Sequence, residues 1–280
     1  MSTKTISQID SVPEFGLIIV GDEILSGKRA DKHMSKVIEL LSARGLTLSQ
    51  VEIVGDSPER ITKILDMAFN TKGVYFSCGG IGATPDDHTR QCAAKALKRE
   101  LQLHPGAEEL IRQRMRDLAK EAGTQYVADH PDNIHRLNMG VFPLGAELIA
   151  NPYNKIPGFT CKGTQGTVHF VPGFPVMAWP MIESVLDTEY KEFHQLRETA
   201  ELSVIVYGAM EATLTPYMIS IEAAYPGIKV FSLPSVDHPV HGKHIELGVK
   251  GDKPLVDEAF LALKQKMNDF GASMGPELVR

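Results

Sequence analysis

The sequence predicts an α/β protein with a three-layer domain around a mostly parallel sheet, followed by a small α+β domain. Three observations carry this. Over roughly the first 185 residues, short apolar runs rich in β-branched residues alternate with segments of helical spacing. The runs are continuous rather than alternating, as expected of strands buried on both faces. From about residue 201 the pattern restarts in a different order, two helices among three strands.

The first run, FGLIIV at 15–20, predicts a strand. DKHMSKVIELLSAR at 31–44 places Met34, Val37, Ile38, Leu40 and Leu41 at helical spacing, with Gly45 as its stop. LTLSQVEIVGD predicts a second strand, SPERITKILDMAFN a helix opened by Ser-Pro, and GVYFSC a third strand. Helices follow at about 86–99 and 106–121, and 123–137 has no clear period. AELIANP and GTVHFVPGFP read as strands, and PVMAWPMIESVL enters a helix. In the last third, ELSVIVYGA, IKVFSLPS and HIELGVKG read as strands, with EATLTPYMISIEAAY and PLVDEAFLALKQKMNDF as helices. That order suits a ferredoxin-like or KH-like sandwich. The tail GASMGPELVR reads as loose. The expected domains are 14–188 and 200–270.

The 280 residues carry a formal charge of −6, which argues against a nucleic-acid surface as the main business. It leaves room for a phosphorylated small ligand, because backbone amides and a metal can bind phosphate on an acidic protein. Three cysteines at no metal-ligand spacing read as reduced core thiols of a cytoplasmic protein. The N-terminus has no export signal, and no apolar run is long enough to span a membrane.

The most informative segment is SCGGIGATPDDHT at 77–89. Gly79, Gly80 and Gly82 follow a strand directly, where ligands of open α/β sheets bind and where amides can approach phosphate closely. TPDD alone has a structural reading, with Thr84 as helix N-cap, Pro85 at the first helical position and Asp87 at the third. Capping leaves the glycines unexplained, and it leaves Asp56 at the end of the neighbouring strand unexplained. Carboxylates beside a glycine cradle suit Mg²⁺ bridging a diphosphate. VGDEILSGKRAD at 20–31 is not a Walker loop, since five residues separate Gly21 from Gly27 and Arg29 stands where the metal-binding hydroxyl belongs. Singly, Asp22, Glu23 and Ser26 read as turn residues, and Lys28 and Arg29 as solvated. His33 and His88, near helix starts, read as exposed. His238, His241 and His244 lack a zincin spacing and read as a hairpin loop.

Five motifs together, GDEILSG (21–27), VGDSPERI (54–61), CGGIGATPDDHT (78–89), NPYNKIPGF (151–159) and FVPGFP (170–175), resemble the CinA-like branch of the MoaB/Mog molybdopterin-binding superfamily. The resemblance implies that fold, a molybdopterin or nucleotide ligand, and metal-dependent hydrolysis of ADP-ribose-type pyrophosphates. A non-catalytic binding protein is the alternative. It implies that Asp87 and Asp56 hold Mg²⁺ or another divalent metal and that Gly79, Gly80 and Gly82 cradle phosphate. Gly21, Asp22, Glu23, Ser26 and Gly27 then form the facing wall, and Thr84, Asp86, Thr89, Asn154, Pro157 and Gly158 complete the ligand site. It also implies a homo-oligomer, dimer or trimer. The amidohydrolase domain of longer CinA proteins has no counterpart in these motifs. Three positions depart from the family pattern. His33 replaces an asparagine, Asn154-Lys155-Ile156 replaces Gly-Thr-Ala, and Met177 replaces an acid.

Overall fold

A computed structural model describes residues 12–195 and 199–279. The chain divides into two compact units, Met1–His194 and Gln195–Arg280.

The first unit opens with β1 (Phe15–Val20), the short α1 (Asp22–Leu25), α2 (His33–Ser42), β2 (Leu48–Val54), α3 (Pro58–Asn70) and β3 (Gly73–Cys78). It continues with α4 (Thr89–Leu97), β4 (Leu101–Leu103), α5 (Pro105–Glu121), α6 (Pro131–Leu137), β5 (Val141–Pro143) and β6 (Glu147–Ile149). β7 (Gly158–Lys162), β8 (Gly166–Val171) and α7 (Pro175–Glu189) close it. The main sheet has the order β2-β1-β3-β8-β7-β6. Its first four strands are parallel, and β7 pairs antiparallel with both of its neighbours, β8 and β6. A separate ribbon pairs β4 with β5.

All six residues of β1 and of β3 are buried, the signature of a sheet covered on both sides. Leu17 and Ile19 face one layer, packed with Val37, Leu41, Ile182 and Leu186 of α2 and α7. Ile18 and Val20 face the other, with Ile61, Leu65 and Ala93 of α3 and α4. A run of stacked rings extends that second layer, since Phe159 lies 4.4 Å from both Phe142 and Phe170 between ring centroids.

The second unit is β9 (Thr199–Tyr207), α8 (Glu211–Ala224), β10 (Lys229–His238), β11 (Gly242–Asp252), α9 (Lys253–Phe270) and β12 (Ser273–Val279). The antiparallel order β10-β11-β9-β12 is the ferredoxin-like one of the two architectures expected. Val204, Val206, Leu247 and Val249 meet Leu214 and Ile221 of α8 and Phe260, Leu263 and Met267 of α9.

The structure corrects four expectations. The tail is not loose, because residues 273–279 form β12 on the free edge of β9. Its glycine and proline hid a strand whose partner lies seventy residues back. The 123–137 segment contains α6, started by Pro131 and capped by the His130 ring, which accepts from Asp132 N at 3.3 Å. Only Asn133 and Leu137 of α6 are buried, too few to print a period. β7 was absent from the reading because GFTCK is short and buried on both faces. α4 begins at Thr89 rather than near 86, so TPDD caps no helix. Thr84–Asp87 is a turn, closed by Asp87 N to Thr84 O at 3.1 Å.

One buried polar chain crosses the first unit. His169 of β8 is fully buried, stacked on Phe76, with Nδ1 2.8 Å from the Thr160 hydroxyl and Nε2 2.8 Å from the Tyr190 hydroxyl. Burial, helped by the Lys162 charge, holds its pKa down to about 3. An unfolded imidazole titrates near ~6.5, so only the unfolded chain takes up this proton as pH falls below that value. Stability should therefore drop on acidification, by about 2 kcal/mol between pH ~6.5 and ~5 from this group. Denaturant titrations at the two pH values measure it. The same pair of titrations on His169→Gln should show a flatter dependence, and an unchanged slope would assign the acid sensitivity elsewhere.

Candidate functional site

The ends of β1, β2, β3 and β8 open into a cleft of about 400 Å³. Its floor is the loop after β3. Gly79 N donates to Val171 O at 3.1 Å, which ties the loop to β8. Gly80 has φ +67°, a left-handed conformation suited to glycine, and a Cβ there would stand 2.1 Å from Thr89 Oγ1. The buried Thr89 is the reason for this closeness, since its hydroxyl donates to Gly79 O at 3.1 Å and its N–H to Gly80 O at 3.0 Å. Arg90, also buried, donates to Ile81 O at 3.0 Å, and the His135 ring donates to Ala83 O at 2.9 Å.

Four of the five carbonyls from 79 to 83 are thus turned onto protein donors. Among the described residues, the amides of Gly80, Ile81, Gly82 and Ala83 have no protein acceptor. A run of backbone N–H groups left in this way is an anion cradle.

The facing wall is built by two turns locked together. Asp22 N donates to Asp56 Oδ2 at 2.9 Å, and Asp56 N donates to Asp22 Oδ1 at 3.1 Å. Gly21 N donates to Val54 O, so the ends of β1 and β2 are fixed as one piece. The Asp56 carboxyl is pushed above its ordinary range, chiefly by burial, then by the charges of Asp22, Glu23 and Asp86. The Asp22 amide opposes that shift. Asp87 lies half-buried, its Oδ2 accepting from Thr84 N at 2.7 Å and from the Thr84 hydroxyl. Four carboxylates, Glu23, Asp56, Asp86 and Asp87, line the cleft, with Arg29 as their single basic companion.

An apolar pocket of about 180 Å³ adjoins the cleft through Ile81, Gly82, Pro172 and Phe174. Met139, Ile156, Pro157 and Met177 complete its apolar lining, and Asn151 and Asn154 are its polar groups. Asn151 Nδ2 donates to Asn154 Oδ1 at 2.8 Å and to Ile156 O at 3.0 Å, which shapes the NPYNKIPG turn.

The expected residues therefore divide. Gly21, Glu23, Asp56, Gly79, Gly80, Gly82, Thr84, Asp86 and Asp87 meet around one cleft, and Asn154 and Pro157 line its apolar annex. Asp22 lies outside the lining and acts through Asp56. Ser26 and Gly27 are exposed beyond α1 and line neither space. Thr89 holds the loop from behind, and Gly158 is buried in β7, where a Cβ would meet Phe170 O at 2.3 Å.

Three residues were read differently from the sequence. Arg29 lines the cleft rather than standing apart as a solvated cation. His33 is buried, not exposed, with Nε2 3.0 Å from Gly173 O. Arg90 was missed, and its place in the first turn of a helix after a glycine loop was the available signal. His238, His241 and His244 do sit at the β10–β11 hairpin. There His238 Nδ1 accepts from Val240 N and His241 N, a turn-closing role.

Residues 16–192 match the family model described as a probable molybdopterin binding domain. The chain belongs to that family. A protein of Aeropyrum pernix is 30% identical over 260 residues, 93% of this chain and 89% of its own length. A CinA-like protein of Geobacter metallireducens is 29% identical over 225 residues, 80% of this chain but 52% of its own length. The chain thus spans about half of that longer relative. A solved CinA structure from Thermoplasma acidophilum, described as of unknown function, superposes with a TM-score of 0.53 at 24% identity, covering 62% of this chain and 97% of its own. The molybdopterin-binding domain here is of the CinA-like branch, and its MoaB/Mog-type fold is the one expected.

The loop geometry predicts a specific contrast between two glycines. Gly80 and Gly27 have φ of +67° and +71°, but a Cβ on Gly27 would meet nothing within 4 Å. Gly27→Ala should cost about 1 kcal/mol of backbone strain. Gly80→Ala adds the collision with Thr89 and should cost about 2–3 kcal/mol. Denaturant titration of both variants measures the difference, and equal costs would mean that Thr89 yields easily.

Proposed function

We propose that this cleft binds a nucleoside diphosphate of the ADP-ribose type and, with a divalent metal, hydrolyses its pyrophosphate bond. The observation that carries the reading is the apposition of four acceptor-free loop amides and the carboxylates of Asp56 and Asp87 on one cleft. Amides bind phosphate oxygens, while four carboxylates against one guanidinium would repel them. A cation between the two resolves the conflict.

The residues fit such a cation as a shared ligand rather than a caged one. Among the described residues, no group of three or more Asp, Glu, His or Cys is arranged to hold a metal. Mg²⁺ bound through one or two carboxylates and substrate phosphates needs no such group. Asp87 and Asp56 would hold it, and the charges of Glu23 and Asp86 beside Asp56 add to the local demand for a cation. When bound, the metal supplies charge neutralisation at the phosphates and activation of water. The loop amides position the diphosphate, and the Thr84 turn keeps one Asp87 oxygen engaged and the side chain in place. Ile81, Ile156 and Met177 give a flat heterocycle an apolar seat, with the Asn154 amide at its edge. Hydrolysis adds water across the P–O–P bridge and yields a nucleoside monophosphate and a sugar phosphate.

A second reading, binding of molybdopterin or a nucleotide without turnover, is favoured by one observation. Asp87 Oδ2 is already committed to Thr84, so a single oxygen of that carboxylate remains for a metal.

AMP release from ADP-ribose by the purified protein with Mg²⁺, Mn²⁺ or Co²⁺ separates the two. Release should require metal and fall at least about 100-fold in Asp87→Asn. No release with any metal, from folded protein that still binds the ligand, supports the binding-only reading. Asp56→Asn removes a carboxylate crowded by three others, so it should lose activity while its melting temperature rises. A fall in that temperature would show that the Asp22 exchange, rather than repulsion, dominates at this position.

A further inference from the structure

Phe174 is a wall of three compartments. It lines the central cleft, the apolar annex, and a third space of about 380 Å³. The annex shares Ile81, Gly82 and Pro172 with the centre, whereas the third space shares Glu23, Arg29 and Gly173. The two outer spaces have only Phe174 in common, so the diphosphate position lies between them. A ligand seated by its heterocycle in the annex and by its phosphates on the amides therefore continues into the third space.

That space is cationic. Arg29 and Lys32 line it, both exposed, and among the described residues neither side chain makes an ion pair or hydrogen bond. Its one acid, Glu23, is shared with the central cleft, so the compartment holds two cations against one shared carboxylate. The start of α2 supplies no attraction, because the Asp31 carboxylate already takes the N–H groups of His33 and Met34 at 2.8 and 3.0 Å. The floor is fixed by the buried His33, which grips Gly173 O. On a chain of formal charge −6, a compartment with a guanidinium and an ammonium against one shared carboxylate carries a local positive excess that favours a negatively charged group.

We infer that the third compartment receives an anionic group at the far end of the ligand, a phosphate monoester or a carboxylate, bound by Lys32 and Arg29. The preferred ligand is then a nucleoside diphosphate whose distal sugar is itself charged, rather than one ending in a neutral sugar. This rests on the nucleotide reading above, and it assigns specificity to residues outside the glycine loop and its acids.

Calorimetric titration with two ligand pairs tests it, each with and without Mg²⁺. One pair is ADP-ribose and its distal-ribose phosphate ester, the other UDP-glucose and UDP-glucuronate. The charged member should bind about 10-fold tighter, the scale of one charge-assisted contact. A preference within both pairs means any anion is read, and a preference within the first pair alone means phosphate. Lys32→Glu, at an exposed position with no partner to lose, should erase or invert the preference while leaving the neutral ligands within about 2-fold. Arg29→Ala should weaken all four. Equal affinity within both pairs, or a preference that survives Lys32→Glu, overturns the inference and leaves the nucleotide reading standing. No binding of any of the four by folded protein overturns both.

Discussion

The site depends on where Thr89 sends its two donors. Its hydroxyl and its N–H take the carbonyls of Gly79 and Gly80, and Arg90 and His135 continue the pattern at Ile81 and Ala83. Each captured carbonyl sends the following amide the other way, because the peptide unit is planar and trans. The cradle is therefore a consequence of what lies behind it. Donors from the first turn of α4 and from α6 fix four peptide planes, three of which carry the cradle amides of Gly80, Ile81 and Gly82, so ordering the loop adds little to the cost of binding. Glycine at 80 is required by the same arrangement, since the approach of Thr89 leaves no room for a Cβ.

The carboxylates give the cradle its second character. A bare amide loop would take any small anion, but this one faces Glu23, Asp56, Asp86 and Asp87. Their mutual repulsion is held in place by the exchange between Asp22 and Asp56, in which each carboxylate accepts from the other residue's amide. Burial and neighbouring charge then raise the proton affinity of Asp56 above the carboxylate norm. The cleft is thus electrostatically unfavourable to a free anion, and on the proposed reading a diphosphate would bind together with a cation. That coupling separates a site for metal-bound diphosphate from one for a free anion.

The sequence displayed the scaffold more openly than the site's finer parts. β1, β3 and the helices between them were legible because burial on both faces leaves a continuous apolar run and burial on one face leaves a helical stripe. β7 and β12 were hidden because their places depend on partners distant in sequence, and a strand of five to seven residues with glycine or proline has no local signature. In the site, the glycines and acids announced themselves by composition. Arg29, His33 and Arg90 did not, because an isolated Arg or His prints the same letter whether it is solvated or turned inward. Thr84 and Asp87 were misread for a related reason. The capping-type hydrogen bond between them does form, but it closes a turn two residues before the helix starts. Local chemistry was legible, and the element it belonged to was not.

The division of labour within the cleft explains how such a fold can keep its ligand class while changing its ligand. On the proposed reading, phosphate would be held by backbone amides, and those are fixed by β3, β8, α4 and α6. The parts that read the rest of a ligand lie on three separate segments. The NPYNKIPG turn shapes the apolar annex, the loop after α1 carries Arg29 and Lys32, and the Pro172–Phe174 link forms the wall they share. Substitution on the NPYNKIPG turn alters the annex alone, while Arg29 and Phe174 each bear on more than one compartment. The positions that depart from the family pattern fall in this way, with Asn154 and Met177 on the annex and His33 beneath the Gly173 link. On the proposed reading, departures on the annex and beneath the link bear on the two ends of the ligand and leave the glycine-loop amides in place.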